Sequence, residues 1–287
     1  MSGLLWYPSR VTSAPPDRVP TGYAAPPGQA PDSARARAQQ AEQVWAQEAA
    51  SAQRSGQEAA PFPAAAIVPV KALDLAKSRL DLPAGARRQL ALAFAADTLA
   101  ALAACPEVAG IVVVTADHEV AALAAGRGAR VVRDDTDSLD DAVALGVTTL
   151  ASGRCQPCAT THDRPSASQR RGDAGILVAP SDLPALRPAD VSKVLRRAAG
   201  HASAFVPDRA GTGTTMVVTA PGRRVVTAFG QGSAARHTGL GLYAVHSAPV
   251  RARHDVDTLA DLRAAAALGV GEATAALLRA GVFDVRG

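Results

Sequence analysis

From Ala64 onward, short apolar runs alternate with longer Ala/Leu-rich amphipathic stretches, and this alternation predicts βα units around a largely parallel sheet. The first run, Ala64 to Val70, leads through a polar loop into a helix from about Ala84 to Ala104. The second, Gly110 to Ala116, is nearly all Val and Ile, the composition of a strand buried on both faces. A helix to Ala125 and a short strand around Val131 follow. Ser138-Leu139-Asp140-Asp141 opens the next helix in a capping-box-like pattern. Gly175 to Ala179 predicts a third buried strand. A helix from Pro188 to Ala199, strands near Ala204 and Met216, a Gly-rich turn and two helices after Thr258 and Gly271 complete one α/β domain over 64–287.

Two stretches break the pattern. Residues 1–63 hold nine of the twenty prolines among Ser, Gln, Ala and Gly, too little apolar surface to offset chain entropy, and they predict a disordered tail. Residues 152–174, rich in Pro, Ser, Arg and Gln, predict a flexible insertion. Within it Cys155-x-x-Cys158 and His162 form part of a zinc-ligand spacing, but the remaining ligands are missing, and a plain surface loop is the preferred reading.

Composition narrows the function. Aromatics are 3% of the chain, so Ala, Val and Leu carry the packing. Of the formal charge of +4, residues 1–60 contribute nothing and residues 153–173 contribute +2, which leaves no basic stripe interleaved with aromatics for a nucleic acid. Three cysteines, Cys105, Cys155 and Cys158, suit a reducing compartment. A basic segment followed by an apolar run is absent at the N-terminus, as is any apolar stretch of membrane-spanning length. These features predict a cytoplasmic protein that binds neither membrane nor nucleic acid.

Three clusters bear chemistry. Lys71, Lys77 and Arg79 fall in the loop after the first strand, where point charges and a guanidinium fork suit a triphosphate, although exposed cations there can equally be solvated. Asp182 stands just past the third buried strand, at the edge where ligands bind in open α/β sheets. With Asp255 and Asp257 it offers the carboxylate oxygens that magnesium prefers, and Asp257-Thr258 also reads as a helix cap. The third cluster is Asp208-Arg-Ala-Gly-Thr-Gly-Thr214 and Phe229-Gly-Gln-Gly-Ser-Ala-Ala-Arg-His237. Its glycines let backbone amides approach an anion, and it also fits a hairpin turn and a helix start.

In this order and spacing, from about Ala66 to Leu278, the motifs resemble the 2-phospho-L-lactate/phosphoenolpyruvate guanylyltransferase family (CofC/FbiD) of coenzyme F-420 biosynthesis. The resemblance implies a nucleotide-diphospho-sugar transferase-like α/β fold, with a mixed central sheet flanked by helices. It implies GMP transfer from GTP to phosphoenolpyruvate or 2-phospho-L-lactate, with release of pyrophosphate and Mg2+ as cofactor. Asp182 and Asp255 match the family's catalytic, metal-binding aspartates, with Asp257 beside them. Lys71, Lys77 and Arg79 match the nucleotide loop, and Thr214, Gly230 and Ser233 match positions that hold the phospho-acid. Arg236 and His237 belong to the motif without an assigned role.

The chain departs from the family pattern at Asp140, where relatives commonly show Asn, and at Gln231 and Leu259, where they show Pro. The Asp140 change bears on nucleotide contacts. An Ala/Arg-rich, Lys-poor composition suggests a high-GC actinobacterial chain, for which the family favours phosphoenolpyruvate. Another nucleotidyltransferase, acting on molybdopterin or a sugar phosphate, is the competing enzyme reading, but its Gly-Gly-x-Ser/Thr-x-Arg loop is missing. A catalytically inactive nucleotide-binding regulatory module is the non-enzyme alternative. The sequence leaves open whether the chain acts alone or as a homodimer.

Overall fold

A computed structural model describes residues 60–73, 77, 79–152 and 174–281. The stretch 1–59 and the Cys155, Cys158 and His162 spacing lie outside the described residues. Seven strands form one mixed sheet: β1 (Ala64–Val70), β2 (Val108–Thr115), β3 (Arg130–Arg133), β4 (Gly175–Val178), β5 (Ser203–Pro207), β6 (Thr214–Thr219) and β7 (Tyr243–Ala244). Their order is β3-β2-β1-β4-β6-β5-β7. Helices α1 (Ala84–Ala103), α2 (His118–Ala125), α3 (Leu139–Ala151), α4 (Pro188–Ala198), α5 (Ser233–Gly239), α6 (Leu259–Leu268) and α7 (Glu272–Arg279) complete the element list, with a 3-10 turn over Val250–Arg253.

Strands β3, β2, β1 and β4 run parallel, as βα units require. The sheet becomes mixed at β6, which is antiparallel to both β4 and β5. The reason is local. Asp208 to Gly213 is a tight hairpin turn in which the Gly211 N–H donates to the Asp208 carbonyl, the Asp208 N–H to the Gly213 carbonyl, and the Thr212 N–H to the Asp208 carboxylate. Gly211 has φ +77°, which this turn obtains from glycine without strain.

Alternate positions of each strand feed opposite faces, giving three layers. Ala66, Val68 and Val70 of β1, with Val113, Leu177 and Val206, pack against Leu99 and Leu102 of α1 and Val191, Val194 and Leu195 of α4. Ile67, Val112, Val114, Phe205 and Val217 pack on the other face against Ala142 and Val143 of α3. Covering both faces explains why the strands read as continuous apolar runs. The edge strands β3 and β7 have no buried residue, and in β2 Ala109 and Gly110 are exposed where the register with β1 slips and leaves Ala109 unpaired.

Candidate active site

The C-terminal end of β4 leads directly into Ser181-Asp182-Leu183, and this turn is held from below by helix α1. Thr98, fully buried, donates its hydroxyl to the Ser181 carbonyl (3.3 Å) and accepts the Leu183 N–H (3.1 Å). The Asp182 carbonyl in turn accepts the Val256 N–H at 3.1 Å, so the backbone itself brings the two acidic segments side by side. Val256 is buried with Leu80, Leu90, Phe94 and Leu262 in a small apolar cluster. In extended chain, alternate side chains point to opposite sides. Inward Val256 therefore turns Asp255 and Asp257 outward, while inward Leu80 anchors the loop that carries Lys77 and Arg79.

Oxygens of Asp182, Asp255 and Asp257 lie within 4.8 Å of one another. Lys77 joins them, its Nζ 2.6 Å from Asp182 Oδ2 and 3.0 Å from Asp257 Oδ1, with only 9% of the side chain exposed. Lys77 takes φ +58°, the single positive φ among the described non-glycine residues, a sparsely populated conformation at the residue whose ammonium meets the carboxylates. Burial works to lower the Lys77 pKa, and the charges of Asp182 and Asp257 outweigh it, leaving the ammonium above its ordinary value. Arg79 reaches Asp257 at 3.7 Å from an exposed position, and Lys71, directly after β1, is exposed.

Crowding of three acids has a marked effect on Asp255. Burial first, then the neighbouring charges of Asp182 and Asp257, push its carboxyl up to about 7. Asp182 Oδ1 is buried and has no hydrogen-bond partner, an arrangement a protein interior rarely leaves uncompensated. Hard carboxylate oxygens, one of them buried without a donor, fit a divalent cation such as magnesium. Thr258, whose hydroxyl accepts the Asp261 N–H, caps α6 with Asp261 in a reciprocal box, so Asp257 is not used as the cap.

The second group sits on the same sheet edge. Because Val178 pairs with Val217 in antiparallel register, Thr214 at the start of β6 lies beyond the C-terminal end of β4. Its neighbour Thr215 donates to the Ala252 carbonyl at 2.6 Å, three residues before Asp255, and so ties β6 to the acidic segment. Gly230 and Gly232 take φ +110° and +71°, and the chain folds back so that the Ser233 N–H donates to the Gly230 carbonyl and the Ala234 N–H to the Thr212 carbonyl. Gly230 and Ser233 therefore share one turn, tied through Ala234 to Thr212, two residues before Thr214, whose hydroxyl lies 2.9 Å from Nδ1 of His237 on α5; Ser233 is buried and Gly230 exposed.

Three side chains brace that turn. Arg236 donates from Nε to the Ala228 carbonyl, from Nη2 to Phe229 and from Nη1 to Gln231. Asp140, at the first turn of α3, accepts the Phe229 N–H at 3.1 Å. His237 Nε2 accepts the Ala228 N–H at 3.0 Å. The departure at Asp140 thus meets the glycine-rich turn, not a free surface. Sequence reasoning also missed Asp117 as a brace of the basic loop. It accepts the Leu73 N–H and an Arg88 guanidinium N–H while capping α2. Burial raises the Asp117 pKa, and the N–H donors of Val120, Leu73 and Glu119 together with Arg88 hold it below the ordinary carboxylate range. Its place directly before a predicted helix was a visible signal.

The family pattern of the MobA-like NTP transferase domain matches residues 91–252. The chain is 44% identical over 218 residues to a phosphoenolpyruvate guanylyltransferase of Streptomyces avermitilis, covering 73% of this chain and 91% of that one. It is also 44% identical over 214 residues to the protein of the same name from Thermomonospora curvata, with 74% and 86% covered. Among solved structures, a protein described as a nucleotide-diphospho-sugar transferase from Desulfovibrio desulfuricans G20 shares the fold, with TM-score 0.54 and 15% identity over 78% of this chain and 97% of that one.

Proposed function

The chain belongs to the phosphoenolpyruvate guanylyltransferase family, and from that premise we propose that it transfers GMP from GTP to phosphoenolpyruvate with release of pyrophosphate. The order of motifs in the sequence supports extending the proposal to a cytoplasmic step of coenzyme F-420 biosynthesis, with 2-phospho-L-lactate as the alternative acceptor. One observation carries the reading. A half-buried carboxylate triad with an unpartnered buried oxygen stands on the same sheet edge as a braced glycine-rich turn opening on Thr214.

In the reaction an acceptor phosphate oxygen attacks the α-phosphorus of GTP, and the bond to the bridging oxygen breaks with its electron pair leaving on pyrophosphate. A phosphomonoester has a second pKa of about 6, so the nucleophile is already largely dianionic at neutral pH and needs no general base. The obstacle is bringing an anion to a polyanion, which positioning and charge neutralisation overcome. Asp182, Asp255 and Asp257 would hold magnesium, which supplies positive charge to the reacting phosphates when bound. Lys77 and Arg79 stand at the same carboxylates and offset charge on the departing pyrophosphate, with Lys71 at the loop entrance. Thr214, Ser233 and the Gly230 backbone hold the phospho-acid.

Pyrophosphate release tests the proposal, with GTP and magnesium against phosphoenolpyruvate, 2-phospho-L-lactate and 3-phosphoglycerate in turn, and with ATP and CTP as controls. Release with GTP and phosphoenolpyruvate is the expected result. Equal rates with ATP would overturn guanylyl transfer, and silence from a folded, GTP-binding protein would overturn turnover altogether.

A further inference from the structure

His237 is fully buried on α5, its ring between Phe205 and Phe229 with centroids 5.4 Å from each. Its two nitrogens face different partners. Nε2 receives the Ala228 backbone N–H, a group that can only donate. In a neutral ring the proton must then sit on Nδ1, which is 2.9 Å from Thr214 Oγ1. The hydroxyl oxygen is therefore the acceptor of that bond, and its own hydrogen is left to give. Among the described residues, Thr214 Oγ1 has no other hydrogen-bond partner.

We infer that His237 is a positioning residue for the acceptor: by donating from Nδ1 to Thr214, it fixes the threonine hydroxyl as a donor toward an anionic oxygen of the phospho-acid. This rests on the guanylyltransferase reading. With the opposite tautomer the ring N–H would face the Ala228 N–H head on, and the hydroxyl hydrogen would turn inward to Nδ1, presenting only lone pairs to an anion. Arg236 does not serve as the anion's partner, because its guanidinium is engaged with the Ala228, Phe229 and Gln231 carbonyls.

The electrostatics agree with a neutral ring. Burial is the largest influence on His237 and lowers its pKa; Asp140 and the Ser233 backbone raise it, Arg236 lowers it further, and the balance lies below the ordinary imidazole value. The flanking Phe205 and Phe229 rings bring no charge to the imidazole.

Two measurements on the full chain test this. In 15N-histidine-labelled protein at pH 7.5, long-range 1H–15N correlations, with the His237 signal identified by its loss in His237→Phe, should show an Nδ1–H ring with Nε2 unprotonated. The same pattern should persist in Thr214→Val, since the Ala228 amide sets the tautomer. An Nε2–H ring or an imidazolium would overturn the inference. In steady-state kinetics with phosphoenolpyruvate, Thr214→Val should raise the acceptor KM about 10- to 100-fold with the GTP KM unchanged, the scale of one charge-assisted hydrogen bond. Thr214→Ser should restore it. His237→Phe should raise the same KM, and the double variant should be no worse than Thr214→Val alone, whereas multiplying effects would overturn the coupling. If His237→Phe does not fold, His237→Gln identifies the signal in its place, and in the kinetic arm, because it keeps a carbonyl acceptor for the Ala228 N–H and an N–H donor for Thr214, it should leave the acceptor KM within a few-fold of wild type, whereas a loss as large as that of Thr214→Val would overturn the inference. A wild-type chain without turnover would sink the functional reading, while the tautomer measurement would still decide the hydrogen-bond assignment.

Discussion

At the residue scale, the acidic triad shows how much depends on a single charge. Asp182 pairs with Lys77, leaves one buried oxygen without a donor, and contributes the largest charge effect on Asp255. Asp182→Asn keeps the shape and removes the charge. The kcat of pyrophosphate release should fall by at least about 10²-fold, the scale of losing one charge-stabilising group in an active site. Circular dichroism should show an intact fold, because Lys77 retains Asp257 and the strain of three crowded acids is relieved. Turnover within a few-fold of wild type would sink the metal-site assignment. The three aspartates and the basic loop were legible in sequence because each follows a strand or precedes a helix, where composition marks the site edge. Braces were harder to see. Asp117 and Asp140 act through backbone N–H groups of Leu73 and Phe229, 44 and 89 positions away, and no local pattern announces such a partner.

At the element scale, positions that look interchangeable in sequence are fixed by what lies across the layer. Gly146 sits inside α3, where helix propensity favours Ala by about 1 kcal/mol. A Cβ there would stand 2.6 Å from Ile67 Cγ2, and Ile67 is fully buried in β1. Overpacking of this kind costs about 1–3 kcal/mol, so Gly146→Ala should destabilise by up to about 2 kcal/mol, read as a lower urea midpoint with an unchanged slope. A higher midpoint would refute the close approach. Thr98 makes the complementary case on α1. Replacing it with Val preserves volume but strands the buried Leu183 N–H, at a cost of about 1–3 kcal/mol. Since that N–H belongs to the turn presenting Asp182, kcat should fall along with the urea midpoint; a loss of stability with full turnover would separate the turn from the site. The periodic pattern of the chain located β1, β2, β4 and most helices to within a residue or two, because each of these strands is a nearly unbroken apolar run and each of these helices a longer amphipathic stretch. Strand β7 escaped it, being two residues, Tyr243 and Ala244, that exist as a strand only by pairing with β5.

At the scale of the whole molecule, pH links the site to the stability of the fold. Asp255 has its carboxyl pushed up to about 7, above the ordinary carboxylate value, so the stability it contributes is complete below about pH 4 and is lost as pH rises through 7. Two histidines have the opposite sign. Burial pulls His201 and His237 below 6.5, so their contribution is present above that value and is lost as pH falls through their folded values. A single melting curve against pH therefore mixes opposed slopes, and a difference measurement is needed. In the proposed site magnesium and a proton would compete for the same Asp255 oxygens, whereas His201 and His237 are not among the proposed ligands and should drop out of the difference. Below pH 7 each unit of pH should strengthen magnesium binding about tenfold, one proton being displaced per ion, and the gain should flatten above it. Thermal melts at pH 6, 7 and 8, each with magnesium and with EDTA, should show an increment small at pH 6 and largest at pH 8. An increment independent of pH would mean that Asp255 is not a ligand, and Asp182→Asn gives a second check. Removing the neighbouring charge lets Asp255 ionise at lower pH, so any magnesium increment that survives in this variant should level off at a lower pH than in the wild type.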